Sequence, residues 1–196
     1  SPTDVAGLLR GVGGDVAGAA QYVAPDAPPE ESLPGDVEWL TDDDIAQFLR
    51  DLRRDTTTWR PHPEGRWSLA GAQAKIALLF DQSAQRWGIP AGATPTTHIV
   101  KPAIGGFDDF DINEHLCLAA ARRAGLIAAA TSIRTFGTER ALVVERYDRI
   151  IDDSGAVSRM RWGAAPSRSP AKGGARSPLW TPPVSIWGKM NGRVRP

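Results

Sequence analysis

The sequence predicts an α+β protein: an antiparallel sheet with one helix, preceded by a small α/β segment and followed by a disordered C-terminal tail. Three observations carry that prediction. Short β-branched runs bounded by Gly, Pro and polar turns recur between residues 67 and 147, with a single helical stripe among them. Ahead of them, Ile45, Phe48, Leu49 and Leu52 recur at 3, 4 and 7, the spacing of one helix face. All 23 acidic residues lie between Asp4 and Asp153, whereas residues 154–196 hold eight Arg or Lys, six Pro and three of the seven Trp with no apolar periodicity. The net charge of 0 therefore divides into about −8 (15 basic minus 23 acidic) and +8.

From the front, Thr3 and Asp4 offer an N-cap for a short helix over 5–9 that Gly11 or Gly13 closes, and 16–23 is expected as a strand. The Pro-, acid- and Gly-rich stretch 24–36 is expected as a loop. Thr41 and Asp44 form a looser capping box for the helix that carries Ile45 and Leu49, and Pro61 and Pro63 set its far limit. Strands follow over 67–70, 75–80 and 86–89, the last two joined by the polar turn 81–85. A short β-branched run over 98–101 ends against Pro102. Asp111 opens the next helix with Glu114 as its reciprocal cap. Ile112, His115, Leu116, Ala119 and Ala120 are expected to face inward, and Gly125 ends the helix. Strands over 131–136 and 141–147 flank a hairpin-sized turn at Gly137, Thr138 and Glu139. The expected division is therefore 1–60, 61–150 and a basic tail from 151.

With 196 residues and 41% hydrophobic content, the chain has material for one domain or one and a half. No apolar run approaches the roughly 18 residues of a membrane helix, and the opening residues lack a basic-then-apolar signal, so a cytoplasmic location is expected. The single cysteine, Cys117, has no internal disulfide partner and falls where a small buried hydrophobe is expected. His62, His98 and His115 show no metal-ligand spacing. Asp108, Asp109 and Asp111 read as acids favoured by a helix N-terminus rather than as a metal cluster. Tail cations with Trp162, Trp180 and Trp187 offer charge and stacking, but at irregular spacing, so nucleic-acid binding is not expected.

Three features carry chemistry in combination. The small-residue turn SLAGAQAK (68–75) leaves backbone amides open to phosphate oxygens, Lys101 at a strand end supplies a point charge, and Glu114 in the next helix opposes that lysine. Alone they read as an ordinary hairpin, a surface lysine and a capping acid. In this order, followed by two strands, they match the layout of a protein-kinase nucleotide lobe, although Gly71 is the only glycine where ordinary kinases have G-x-G-x-x-G.

SLAGAQAK, IPAGATPTTHIVKP (89–102), the Asn113-Glu114 helix start and VVERYDRI (143–150) together resemble the HipA family, serine/threonine kinase toxins of bacterial toxin–antitoxin pairs. The resemblance runs from about residue 4 to about residue 157, and its first 60 residues resemble the later part of the family's N-terminal subdomain. It implies ATP and Mg²⁺ as cofactors, a HipB-like antitoxin as partner, and a protein substrate such as a glutamyl-tRNA synthetase for an intact member. By position it implies that Ala70, Gly71, Ala72, Gln73, Ala74 and Lys75 form the loop over the phosphates, that Lys101 contacts them and that Glu114 is its partner. Glu145, Arg146 and Tyr147 would be the hinge that holds adenine mostly through main-chain groups, and Ser68 matches an autophosphorylated serine. Ala74 departs from the acid that family members often carry there. No D-G-H-x-x-N segment or later metal-binding Asp is found, so Mg²⁺ ligands and a catalytic Asp are expected to be absent and the chain inactive. The front is expected to be cut, and the composition from about residue 161 is expected to be a frameshift product. The alternative is a non-catalytic remnant that binds antitoxin or nucleotide.

Overall fold

A computed structural model describes residues 13–23, 34–54, 73–104, 109–152 and 155–160, all within the first of the chain's two compact units, Ser1–Trp162. The expected helix over 5–9, the strand over 67–70, the loop residues 24–33, and the tail beyond 160 lie outside the described residues. So do Ser68, Ala70, Gly71 and Ala72.

Among the described residues eight strands and two helices follow one another: β1 (Pro34–Leu40), α1 (Asp42–Arg54), β2 (Ile76–Asp81), β3 (Arg86–Gly92), β4 (His98–Pro102), α2 (Phe110–Arg123), β5 (Thr131–Phe136), β6 (Glu139–Glu145), β7 (Arg149–Ile151) and β8 (Val157–Arg159). Six of the strands form an antiparallel sheet in the order β1-β3-β2-β4-β6-β5, and β7 pairs with β8. This is the α+β architecture expected, a mostly antiparallel sheet with two helices.

Side chains alternate across the sheet, so the register assigns each residue to a face. Ile76, Leu78 and Phe80 of β2 share one face with His98 and Val100 of β4, Ala141 and Val143 of β6 and Phe136 of β5. Onto that face α1 lays Ile45, Ala46, Leu49 and Leu52, and together they make the core. The capping box is formed as expected: Thr41 Oγ1 accepts from the Asp44 amide at 3.2 Å, and Asp44 Oδ2 accepts from the Thr41 amide at 2.8 Å. Asp42, Asp43 and Asp44 in the first turn and Arg53 and Arg54 in the last complement the helix dipole.

Several local expectations differ. Residues 34–36, read as loop, begin the edge strand β1; Pro34 is tolerated there because an edge leaves one row of amides unpaired. Residues 16–23, read as a strand, turn back instead, with the Tyr22 amide bonded to Gly13 O at 2.9 Å. Because β1 pairs with β3 and α1 packs on β4, β5 and β6, the boundary expected at residue 60 does not separate two packed bodies. The tail expected from residue 151 begins later, since the β7–β8 hairpin runs to Arg159.

Helix α2 lies against the other face and contacts β5 and β6. It does not pack as an apolar stripe. Leu116 is 59% exposed, Ala120 and Cys117 are also exposed, and the one buried residue of the helix is Asp111. The inward position expected for Leu116, Ala120 and Cys117 is therefore corrected. This helix is held by polar anchors, which a hydrophobic periodicity does not register.

Candidate functional site

The face beneath α2 carries Lys101 and Arg140. Lys101 is on β4 opposite Leu142, and alternation places it away from the core of α1. Its Nζ donates to Glu114 Oε1 at 2.6 Å, with both side chains about a fifth to a quarter exposed. The pair expected from order and spacing is therefore formed across 13 residues of chain.

What holds Glu114 in place is a second pair of contacts on either side of it. Arg140 grips Asp111 with two bonds, Nε to Oδ2 at 2.7 Å and Nη2 to Oδ1 at 2.9 Å, and Nη2 also reaches Asp109 Oδ1 at 2.9 Å. One residue beyond Glu114, His115 Nδ1 shares a 2.8 Å hydrogen bond with Thr131 Oγ1 on β5. A bidentate guanidinium–carboxylate pair fixes direction as well as distance, so the first turns of α2 are locked onto β6. Glu114 was expected as the capping partner of Asp111. Instead Asp109 is the N-cap, in the left-handed region at φ 56° with no side-chain cap bond, and Glu114 is left to the lysine.

Lys75 completes the set. Ile76 is in the core, so alternation turns Lys75 toward the side of Lys101. Burial lowers its pKa from 10.5, the positive charge of Lys101 lowers it further, and Glu114 partly opposes this. Among the described residues two cations and one anion thus meet on this side of the sheet, a setting that suits an anion. Ala74 packs against the α1 core, away from the lysines.

The expected hinge residues divide. The Glu145 side chain is on the α1 face, where it lines a depression of about 120 Å³ with Phe80, Trp87, His98 and Arg134. That depression does not include either lysine. Arg146 is buried in an ionic cluster, and Tyr147 is 67% exposed. The Glu145 side chain is thus turned away from the lysines and that of Arg146 is committed to the cluster, whereas the Tyr147 side chain is freely exposed. The first two amides of 145–147 are committed, Glu145 N–H to Ala130 O and Arg146 N–H to Thr97 O, both at 2.9 Å. Among the described residues no three His, Cys, Asp or Glu side chains converge as a metal site, and no helix is long and apolar enough to cross a membrane.

Residues 67–165 match the family model for the HipA-like C-terminal domain. The chain belongs to the HipA-like C-terminal domain family. Its relatives include the protein described as "Putative kinase Y4mE" from Sinorhizobium fredii, 38% identical over 164 residues, which cover 82% of this chain and 38% of that protein. The serine/threonine-protein kinase toxin HipA of Shewanella oneidensis is 31% identical over 144 residues, 72% of this chain and 31% of that protein. The solved complex of Shewanella oneidensis HipA, HipB and operator DNA superposes with a TM-score of 0.62 at 29% identity, over 81% of this chain and 36% of that one. The chain thus spans about a third of the length of the relatives it matches. Of these relatives, the Shewanella oneidensis HipA is named as a serine/threonine-protein kinase toxin and Y4mE as a putative kinase.

Asp15, Thr96, Asp148, Arg149 and Arg159 were not singled out from sequence, yet they join Arg146 in the buried ionic cluster. The run Arg146-x-Asp148-Arg149 held a signal, three charges in four residues directly after a strand. Asp15 held none, because its partners lie more than 80 residues away.

Proposed function

We propose that this chain is the nucleotide-binding portion of a HipA-type serine/threonine kinase toxin. ATP would lie against the α2 side of the sheet, its phosphates between Lys101, Lys75 and the loop of residues 70–75. The observation that carries this reading is the 2.6 Å Lys101–Glu114 pair, partly exposed, beside a second lysine. An ammonium on a four-carbon stem keeps one position only when a carboxylate opposes it, and a preorganised point charge binds phosphate without reorganisation. The main chain at 145–147, at the end of β6, is the segment that would hold adenine.

Mg²⁺ would enter with the triphosphate and neutralise charge between its phosphates. The described residues offer cations for the phosphates but no converging carboxylates for the metal. Phosphoryl transfer also needs an Asp that orients the acceptor hydroxyl, and no Asp or Glu follows Asp153 in this sequence. We therefore assign binding, not transfer, to these 196 residues. The likeness to a HipA chain solved with HipB makes a HipB-like antitoxin the partner of this reading.

Titration of the purified chain with a fluorescent ATP analogue tests the assignment. Lys101→Ala is expected to weaken binding about tenfold or more, the scale of one charge-assisted phosphate contact. An unchanged affinity would remove the lysine from the site. Transfer of labelled phosphate to any protein by this chain would overturn the assignment of binding alone.

A further inference from the structure

The strand end that would face adenine is anchored by a buried ionic cluster with no part in phosphate binding. Asp15, 5% exposed, accepts from Arg146 Nη1 at 3.0 Å, from Arg149 Nη2 at 2.7 Å and from the Thr96 amide at 3.2 Å; the Thr96 hydroxyl and, at 3.5 Å, Arg159 also donate to it. Asp148 closes the ring. It accepts from Arg146 Nε at 3.1 Å and Nη2 at 3.0 Å, from the Gly18 amide at 2.7 Å, and lies 2.9 Å from Arg149 Nη1. Carbonyls of the same N-terminal turn take up further guanidinium donors: Val16 O from Arg146 and Arg149, Gly18 O from Arg149 and Gly14 O from Arg159.

The geometry points to one role for this arrangement. We infer that Asp15 is a positioning residue: by gripping Arg146 and Arg149 from the N-terminal turn, it sets the path of main chain 145–147 and thereby the base-binding end of the nucleotide site. This inference rests on the nucleotide reading above. Two features separate the cluster from a merely structural pair. The two arginines flank the hinge peptide, one inside it at 146 and one just past it at 149, so their displacement moves the hinge directly. The Asp15 clamp also comes from chain 131 residues distant, so it ties Arg146 and Arg149 to the N-terminal turn, which the neighbouring Asp148 carboxylate does only through the Gly18 amide. Three guanidiniums share two carboxylates, and removal of one carboxylate leaves three cations on one anion in a buried setting.

The test compares two probes on the full chain, ATP and inorganic tripolyphosphate, each by competition against a fluorescent ATP analogue. Tripolyphosphate has no base and reports only the lysine end. Asp15→Asn is expected to weaken ATP about tenfold while tripolyphosphate changes by less than about twofold, because only the base end loses its preorganisation. Thr96→Val, which deletes the hydroxyl that donates to Asp15 and accepts from Arg146 at 3.0 Å, is expected to act in the same direction but less strongly. Equal loss for both probes, or no loss for either, overturns the inference; should Asp15→Asn not fold, Thr96→Val decides. Lys101→Ala is the control that separates the two readings, since it should weaken both probes. If it weakens neither, the nucleotide reading itself is wrong and the positioning role falls with it.

Discussion

His98 shows how one side chain couples burial to pH. It is enclosed by Phe80 and Trp87, whose rings meet it edge-on at 5.7 and 5.1 Å, and Thr97 Oγ1 lies 2.8 Å from its Nδ1. Burial, with a smaller contribution from the Arg134 charge, lowers its pKa from 6.5 to about 4. The folded state therefore holds a neutral ring while the unfolded chain takes up a proton below pH 6.5, and stability falls as pH drops from 6.5 to about 4. The full effect is about 3 kcal/mol at 1.36 kcal/mol per pKa unit. Urea unfolding at pH 7 and pH 5 should show a loss that His98→Gln abolishes; an equal pH slope in both proteins would refute it. The position of His98 in a strand before Lys101 was legible from its β-branched neighbours. Its aromatic enclosure was not, because Trp87 and Phe80 reach it only through strand pairing.

The two helices contrast at the level of the element. Helix α1 was readable because its stability comes from an apolar stripe, and a stripe has a period. Leu49→Ala is expected to cost about 2–5 kcal/mol, since a wholly buried side chain is removed from the core. Helix α2 was found but its inward face was misread, because Asp111–Arg140, His115–Thr131 and Lys101–Glu114 hold it instead of leucines. Leu116→Ala is accordingly expected to stay within about 0.5 kcal/mol of the parent. Denaturant midpoints of the two variants compare these directly, and a similar loss in both would show that α2 does pack through its leucine. Edge strand β1 escaped notice for a related reason. Its pattern is short, opens on Pro and Gly, and becomes a strand only by pairing with β3.

For the whole molecule, β1 and α1 belong to the same sheet and core as the strands after residue 75, and the turn at 13–18 is tied to 146–159 by buried charges. These connections predict one cooperative transition rather than separate melting of an N-terminal part. Loss of helical circular dichroism and of tryptophan fluorescence should coincide in denaturant; two resolved transitions would show that the parts fold independently. The expected boundary at residue 60 came from the change of pattern after the helix and from the resemblance of the first 60 residues, neither of which registers which strands share a sheet.

The sequence by itself determined the α+β class, the capped helix α1, the short antiparallel strands and the family, because periodicity, caps and motif order are local or ordered properties of a chain. It also brought Lys101 and Glu114 forward as partners. Tertiary structure alone decided that Arg140 and His115 hold Glu114 in place, that the Glu145 side chain turns away from the lysines, and that Asp15 meets Arg146. Those outcomes depend on register and on contacts between residues far apart in the chain, and a charged side chain carries no mark of the distant partner that will bury it.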